Sequence, residues 1–198
     1  VKRLFASLAV SLALALTIAA GSCTPDSGDE PTTERSVTQL PLPENVVSEE
    51  LLLPLRQAKN FHHIADVYLQ NGKVEQATEA VRSVLSLEFP NNAPEGEDVV
   101  LDARARLAKL LVTQGKTDEA MKVVQAGIQS ATRDSFFLSN VYTVKGEVHE
   151  AIAVGLDETD KAAADGQREE AIKARMKSIE IDRALQKQLM RGQSGGAE

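Results

Sequence analysis

From Ser48 onward, apolar residues recur every three to four positions, the period of helices that bury one face. The pattern has few β-branched runs and predicts an all-helical chain. Before it, Thr24 to Pro43 carries Pro25, Pro31, Pro41 and Pro43 among Ser, Thr, Asp and Glu, with no apolar period. That stretch reads as a tether. Pro54 falls inside an apolar stretch and is expected in the first turn of a new helix. The Gly- and Ser-containing end, residues 192–198, is expected to be a disordered tail. The organisation expected is a leader over 1–22, a tether over 23–47, a helical domain over 48–191 and the tail.

One pattern recurs within the helical domain. Gly72-Lys-Val-Glu-Gln-Ala77, Gly115-Lys-Thr-Asp-Glu-Ala120 and Gly166-Gln-Arg-Glu-Glu-Ala171 each place an alanine five residues after a glycine, ahead of a helix-forming stretch. A glycine there lets the chain reverse between two antiparallel helices. Small residues (Ala65, Ala77, Ala108, Ala120) let the paired helices approach closely.

Upstream of Gly72, Phe61, Ile64-Ala65 and Tyr68 keep a fixed spacing, which Leu107-Ala108 and Leu111 repeat upstream of Gly115. Ile172 to Asp182 follows Gly166. Together these resemble the tetratricopeptide repeat. The resemblance implies an α-solenoid of about three antiparallel helix pairs, stacked because one pair cannot bury its own apolar face.

The spacing departs from the 34-residue family period. Gly72 to Gly115 is 43 residues, with the excess in the loop Asn91 to Asp98, and Gly115 to Gly166 is 51. In the second interval Phe137, Val141, Val144, Val148, Ala151, Gly155, Thr159 and Ala162 keep one face. That predicts a single helix from Ser135 to Ala164, about 45 Å long, and an elongated last pair. A rival register turns at Gly146, where Tyr142 and Ala151 also match the repeat. The closer match at Gly166 places Gly146 inside a helix.

The N-terminus adds a location. Lys2-Arg3, the uncharged run Leu4 to Ala20 and Gly21-Ser22-Cys23 follow the layout of a secretory signal peptide. Cys23 is the only cysteine, so no disulfide forms within one chain. Ala20-Gly21-Ser22-Cys23 resembles the bacterial lipoprotein box, although Ala20 stands where leucine is usual. That resemblance implies acylation of Cys23, with ordinary cleavage nearby as the competing outcome. Thr24, in place of the aspartate that retains lipoproteins at the inner membrane, implies an outer-membrane destination facing the periplasm.

With 22 Lys plus Arg against 29 Asp plus Glu, the formal charge is −7, and nucleic acid is a poor partner for so acidic a chain. His62, His63 and Asp66 are the one cluster of metal-ligand types. Two ligands on one helix face do not make a site, and His149 is the only other histidine. No serine sits in a nucleophile elbow and no glycine-rich phosphate loop occurs. No enzyme activity, catalytic residue, cofactor or metal is expected.

The resemblance instead implies a concave groove lined by the first helix of each unit. It would be formed by His62, Asp66 and Leu69 in the first unit and Arg106, Lys109 and Val112 in the second. Arg106 and Lys109, a basic pair on an acidic chain, suit an acidic segment or a chain carboxylate. The function expected is a membrane-tethered adaptor or assembly factor gripping another envelope protein. The alternative is a structural subunit that self-associates through its C-terminal helical hairpin, as a homo-oligomer.

Overall fold

The computed structural model describes residues 48–157 and 159–194; the expected leader, Cys23 and tether, and residues 195–198, lie outside them. Among the described residues there are six helices: α1 (Glu49–Gln70), α2 (Val74–Leu85), α3 (Pro94–Thr113), α4 (Thr117–Ser130), α5 (Phe136–Leu156) and α6 (Lys161–Ser194). They form three hairpins, α1/α2, α3/α4 and α5/α6, as the solenoid reading expects.

Helices α1 and α5 begin where a serine side chain satisfies a free N–H group. The Ser48 hydroxyl accepts from the Leu51 N–H at 3.3 Å, and Ser135 accepts from Leu138 at 3.1 Å. The loop expected from Asn91 to Asp98 ends at Ala93, because Pro94 opens α3, where its missing N–H would have had no partner. The first two hairpins turn identically. Gly72 and Gly115 take left-handed φ values of 69° and 73°. Lys73 then donates to Tyr68 O, and Lys116 to Leu111 O, each at 2.9 Å. This six-to-one bond closes a Schellman motif, and only glycine adopts its φ without strain.

Behind these turns, Ala65, Ala77, Ala108 and Ala120 are fully buried. Leu101, Leu107, Leu111, Val81, Val84 and Val124 fill the space between successive hairpins. Helices α1, α3 and α5 pack side by side in one row. Helices α2 and α4 do not pack on each other and are joined across their gap by the Arg82–Glu119 ion pair. First helices of successive hairpins meet whereas α2 and α4 do not, so the α1–α3–α5 row is the more closely spaced side of the array.

Two further expectations from the sequence are corrected. Pro54 is not in a first turn; it lies six residues into α1, and it is buried with Leu51. The Ser48 cap and the acidic Glu49 and Glu50 start the helix earlier, and the ring removes a single bond near its end. The second correction concerns Gly166, which is inside α6 rather than at a turn. The expected helix from Ser135 to Ala164 is interrupted after Leu156. There Thr159 and Asp160 fold back onto Leu156 O, and the Asp160 carboxylate caps α6 by accepting from Ala163 at 3.0 Å. Arg168 ties this turn together through Asp157 at 2.6 Å and Asp165 at 2.8 Å. The turn uses aspartate capping instead of glycine or proline. The small residues Gly155, Thr159 and Ala162 continued the helical period without being buried.

Gly146 is inside α5, as expected, and marks the closest approach of the last hairpin. A Cβ there would lie 3.1 Å from Arg175 Cγ and 3.2 Å from Ala171 O. Ala164, Ala171, Ala174, Ser178 and Ile181 form the seam that α6 presents to α5. Its buried hydroxyls are satisfied: Ser178 Oγ lies 2.8 Å from Ser139 Oγ and 2.9 Å from Thr143 Oγ1. At 34 residues against 21, α6 outruns α5. It extends three residues past the expected domain end at Arg191.

Candidate binding groove

The first helices bring the expected groove residues to one face. His62 and Asp66 stand one turn apart on α1 and face Arg106 of α3. Arg106 donates to Asp66 Oδ1, and its Nη1 lies 3.3 Å from His62 Nδ1. His62 Nε2 is 3.7 Å from Asp102, the residue one turn before Arg106 on α3. Lys109 leaves this cluster and pairs with Glu147 of α5 at 3.3 Å. Leu69 and Val112 are half-buried and pack onto the core, so their contribution to the groove is its floor.

Burial holds the His62 imidazole below its ordinary pKa; Asp102 and Asp66 oppose that shift and Arg106 reinforces it. Neutral His62 therefore sits among one cation and two carboxylates. Over the whole strip, two cations face three carboxylates, since Arg106 and Lys109 are matched by Asp66, Asp102 and Glu147.

Sequence reasoning missed Asp102 and Glu147. Asp102 was legible as the residue four before Arg106 on the same helix face. Glu147 was not, because its meeting with Lys109 depends on how α5 crosses α3. Chemically, the strip offers exchangeable ion pairs and hydrogen-bonding groups over an apolar floor. Among the described residues, no group of three or more His, Cys, Asp or Glu is arranged to hold a metal ion, and no helix is long and apolar enough to cross a membrane.

The alternation of a paired first helix, a left-handed glycine and a short second helix matches a known unit. Residues 58–91, from the middle of α1 past the end of α2, match the tetratricopeptide repeat family model. The chain contains a tetratricopeptide repeat. The matched segment holds the Gly72 turn, buried Ala65 and Ala77, and the three residues expected to line the groove in the first unit, His62, Asp66 and Leu69. No curated protein matches the chain. The tetratricopeptide repeat is a protein–protein interaction module, and of the positions expected to face its groove Asp66 and Arg106 form an ion pair between α1 and α3.

Proposed function

We propose that this chain is a membrane-tethered adaptor or assembly factor of the bacterial cell envelope, holding a segment of a partner protein along the α1–α3–α5 groove. The observation that supports this reading is the strip of solvent-reached ion pairs, Arg106–Asp66 and Lys109–Glu147, at the groove-facing positions of a tetratricopeptide array. Exposed pairs of this kind contribute little to stability, typically less than about 1 kcal/mol. They are correspondingly easy to exchange. A partner segment bearing carboxylates displaces Asp66 from Arg106 and Glu147 from Lys109, and leaves the fold intact. The tether in this reading is the segment from Cys23 to residue 47. Acyl chains on Cys23 anchor it, each buried CH₂ contributing about 0.8 kcal/mol. The outer membrane, facing the periplasm, is the favoured location.

Two experiments test the halves separately. Cross-linking in intact bacterial cells, followed by identification of the captured protein, is run with the natural chain and with Arg106→Gln/Lys109→Gln. Loss of the captured partner is expected, and capture at full yield by the folded double variant would refute the groove. Cys23→Ser is expected to release the protein from the membrane fraction. Association that survives both this change and removal of residues 1–22 would refute the lipid tether.

A further inference from the structure

The face of α6 turned away from α5 carries a stripe that an end-cap helix does not need. Terminal units of a solenoid usually present a polar outer surface. Here Ile172, Met176 and Ile179 are 59%, 65% and 48% exposed, at the spacing of one helix face. Among the described elements α6 packs on α5 alone, so nothing in the fold covers this stripe. A shallow hollow of about 670 Å³ runs along it between Met176, Ile179 and Arg183.

The charges at the ends of the stripe indicate what covers it. On the N-terminal side the same face continues with Glu169 and Asp165, both exposed; on the C-terminal side it continues with Arg183, with Lys187 at its margin. Glu169 and Arg183 each stand seven residues from Met176, and Asp165 and Lys187 each stand eleven. Acid and base are thus placed symmetrically about one apolar centre. Such a strip is complementary to itself when turned end for end. Among the described residues, Glu169, Arg183 and Lys187 form no ion pair within 4 Å, and Asp165 is shared with Arg168.

We propose that α6 pairs antiparallel with α6 of a second copy of this chain, on a two-fold axis through Met176. Ile172 then lies against Ile179 of the second copy, and Glu169 opposes its Arg183 on both sides of the axis. A parallel pairing would instead set Glu169 against Glu169 and Arg183 against Arg183. The contact is isologous and closes at two copies. It uses the face opposite the α5 seam and leaves the groove along α1, α3 and α5 open, so it stands or falls independently of the proposed function.

The test is a charge swap read by sedimentation of the full chain in non-ionic detergent, from micromolar concentrations upward. Circular dichroism serves as the folding control. The natural chain should form dimers. Glu169→Arg and Arg183→Glu should each weaken dimerisation by about tenfold, since each sets like charges across the axis twice. The combined variant should recover most of the natural affinity, because its opposite charges meet again. Met176→Glu, at an exposed position that folding does not use, should give monomers. Association through residues 1–22 would ignore all four changes, and that result would overturn the proposal. So would a natural chain that stays monomeric, growth beyond dimers, or a combined variant no better than the single ones.

Discussion

Arg106 on α3 donates to the carboxylate of Asp66 on α1, so the residue best suited to grip an acidic partner is already gripped from within. Together with Lys109–Glu147, this makes the groove a strip of satisfied charges instead of a bare basic patch. Reversing both cations to glutamate would therefore set like charges against Asp66, Asp102 and Glu147, and partner loss would be confounded with repulsion within the fold. Neutral replacement is the cleaner probe. Arg106→Gln and Lys109→Gln should each change stability by less than about 1 kcal/mol in denaturant titrations, because Asp66 and Lys109 are each about half exposed. A loss of several kcal/mol would mean these pairs hold the hairpins together.

His62 makes the groove sensitive to mild acid. Burial lowers its pKa in the fold, so the unfolded chain, at about 6.5, takes up the proton first. Above that value His62 adds no pH dependence; as pH falls below it, protonation favours unfolding, and stability declines until the folded pKa is passed. Melting temperatures measured between about pH 7.5 and 5.5 should fall with pH, and less so in His62→Gln. Proton titration by NMR should show the His62 pKa rising in Arg106→Gln, where a repelling cation is lost, and falling further in Asp102→Asn. Unchanged values in both variants would place these groups out of electrostatic reach.

The glycines should separate by backbone conformation. Gly72→Ala and Gly115→Ala force a side chain into the left-handed region and should each cost about 1–2 kcal/mol. Gly166 lies inside α6 with open space around it, so Gly166→Ala should raise stability by roughly 0.5–1 kcal/mol. Thermal melts that show Gly166→Ala as damaging as Gly72→Ala would restore the turn at Gly166.

Gly146→Ala gains the same helix propensity and should nevertheless destabilise. Its Cβ meets the α6 backbone at Ala171 O, and Arg175 Cγ, whose guanidinium is held by Glu150 at 3.0 Å. Separating α5 from α6 should cost roughly 1–3 kcal/mol. A neutral result in chemical denaturation would mean the hairpin can relax at that crossing.

Ala77→Leu and Ala120→Leu introduce bulk at positions with no exposed surface, beneath the first two glycine turns. Each should cost about 1–3 kcal/mol. Glu79→Gln, whose carboxylate is largely exposed and among the described residues pairs only with neighbouring Arg82, should be near neutral. Equal melting temperatures for all three would contradict the repeat register.

The sequence by itself determined the helical class and the first two hairpins, and with them the placing of His62, Asp66, Arg106 and Lys109 on the first helices of those hairpins. These rest on short-range rules: a 3.6-residue apolar period, a glycine at a left-handed turn, and alanines at the close contacts within one hairpin. The placement of Gly146 inside a helix came out right on a premise that failed, since it rested on a turn at Gly166 that the chain does not make. Only the tertiary structure decided where the last hairpin turns. Asp160 caps α6 there without glycine or proline, and the choice between Gly166 and Leu156 as the end of a helix depends on which small residues meet across α5 and α6. Packing between hairpins likewise decided that Arg106 and Lys109 are paired, because Asp66 and Glu147 are 40 and 38 residues away along the chain and become neighbours only when α1, α3 and α5 lie in one row. A one-dimensional pattern records which face of a helix is apolar, but not which charge on the next helix will lie opposite.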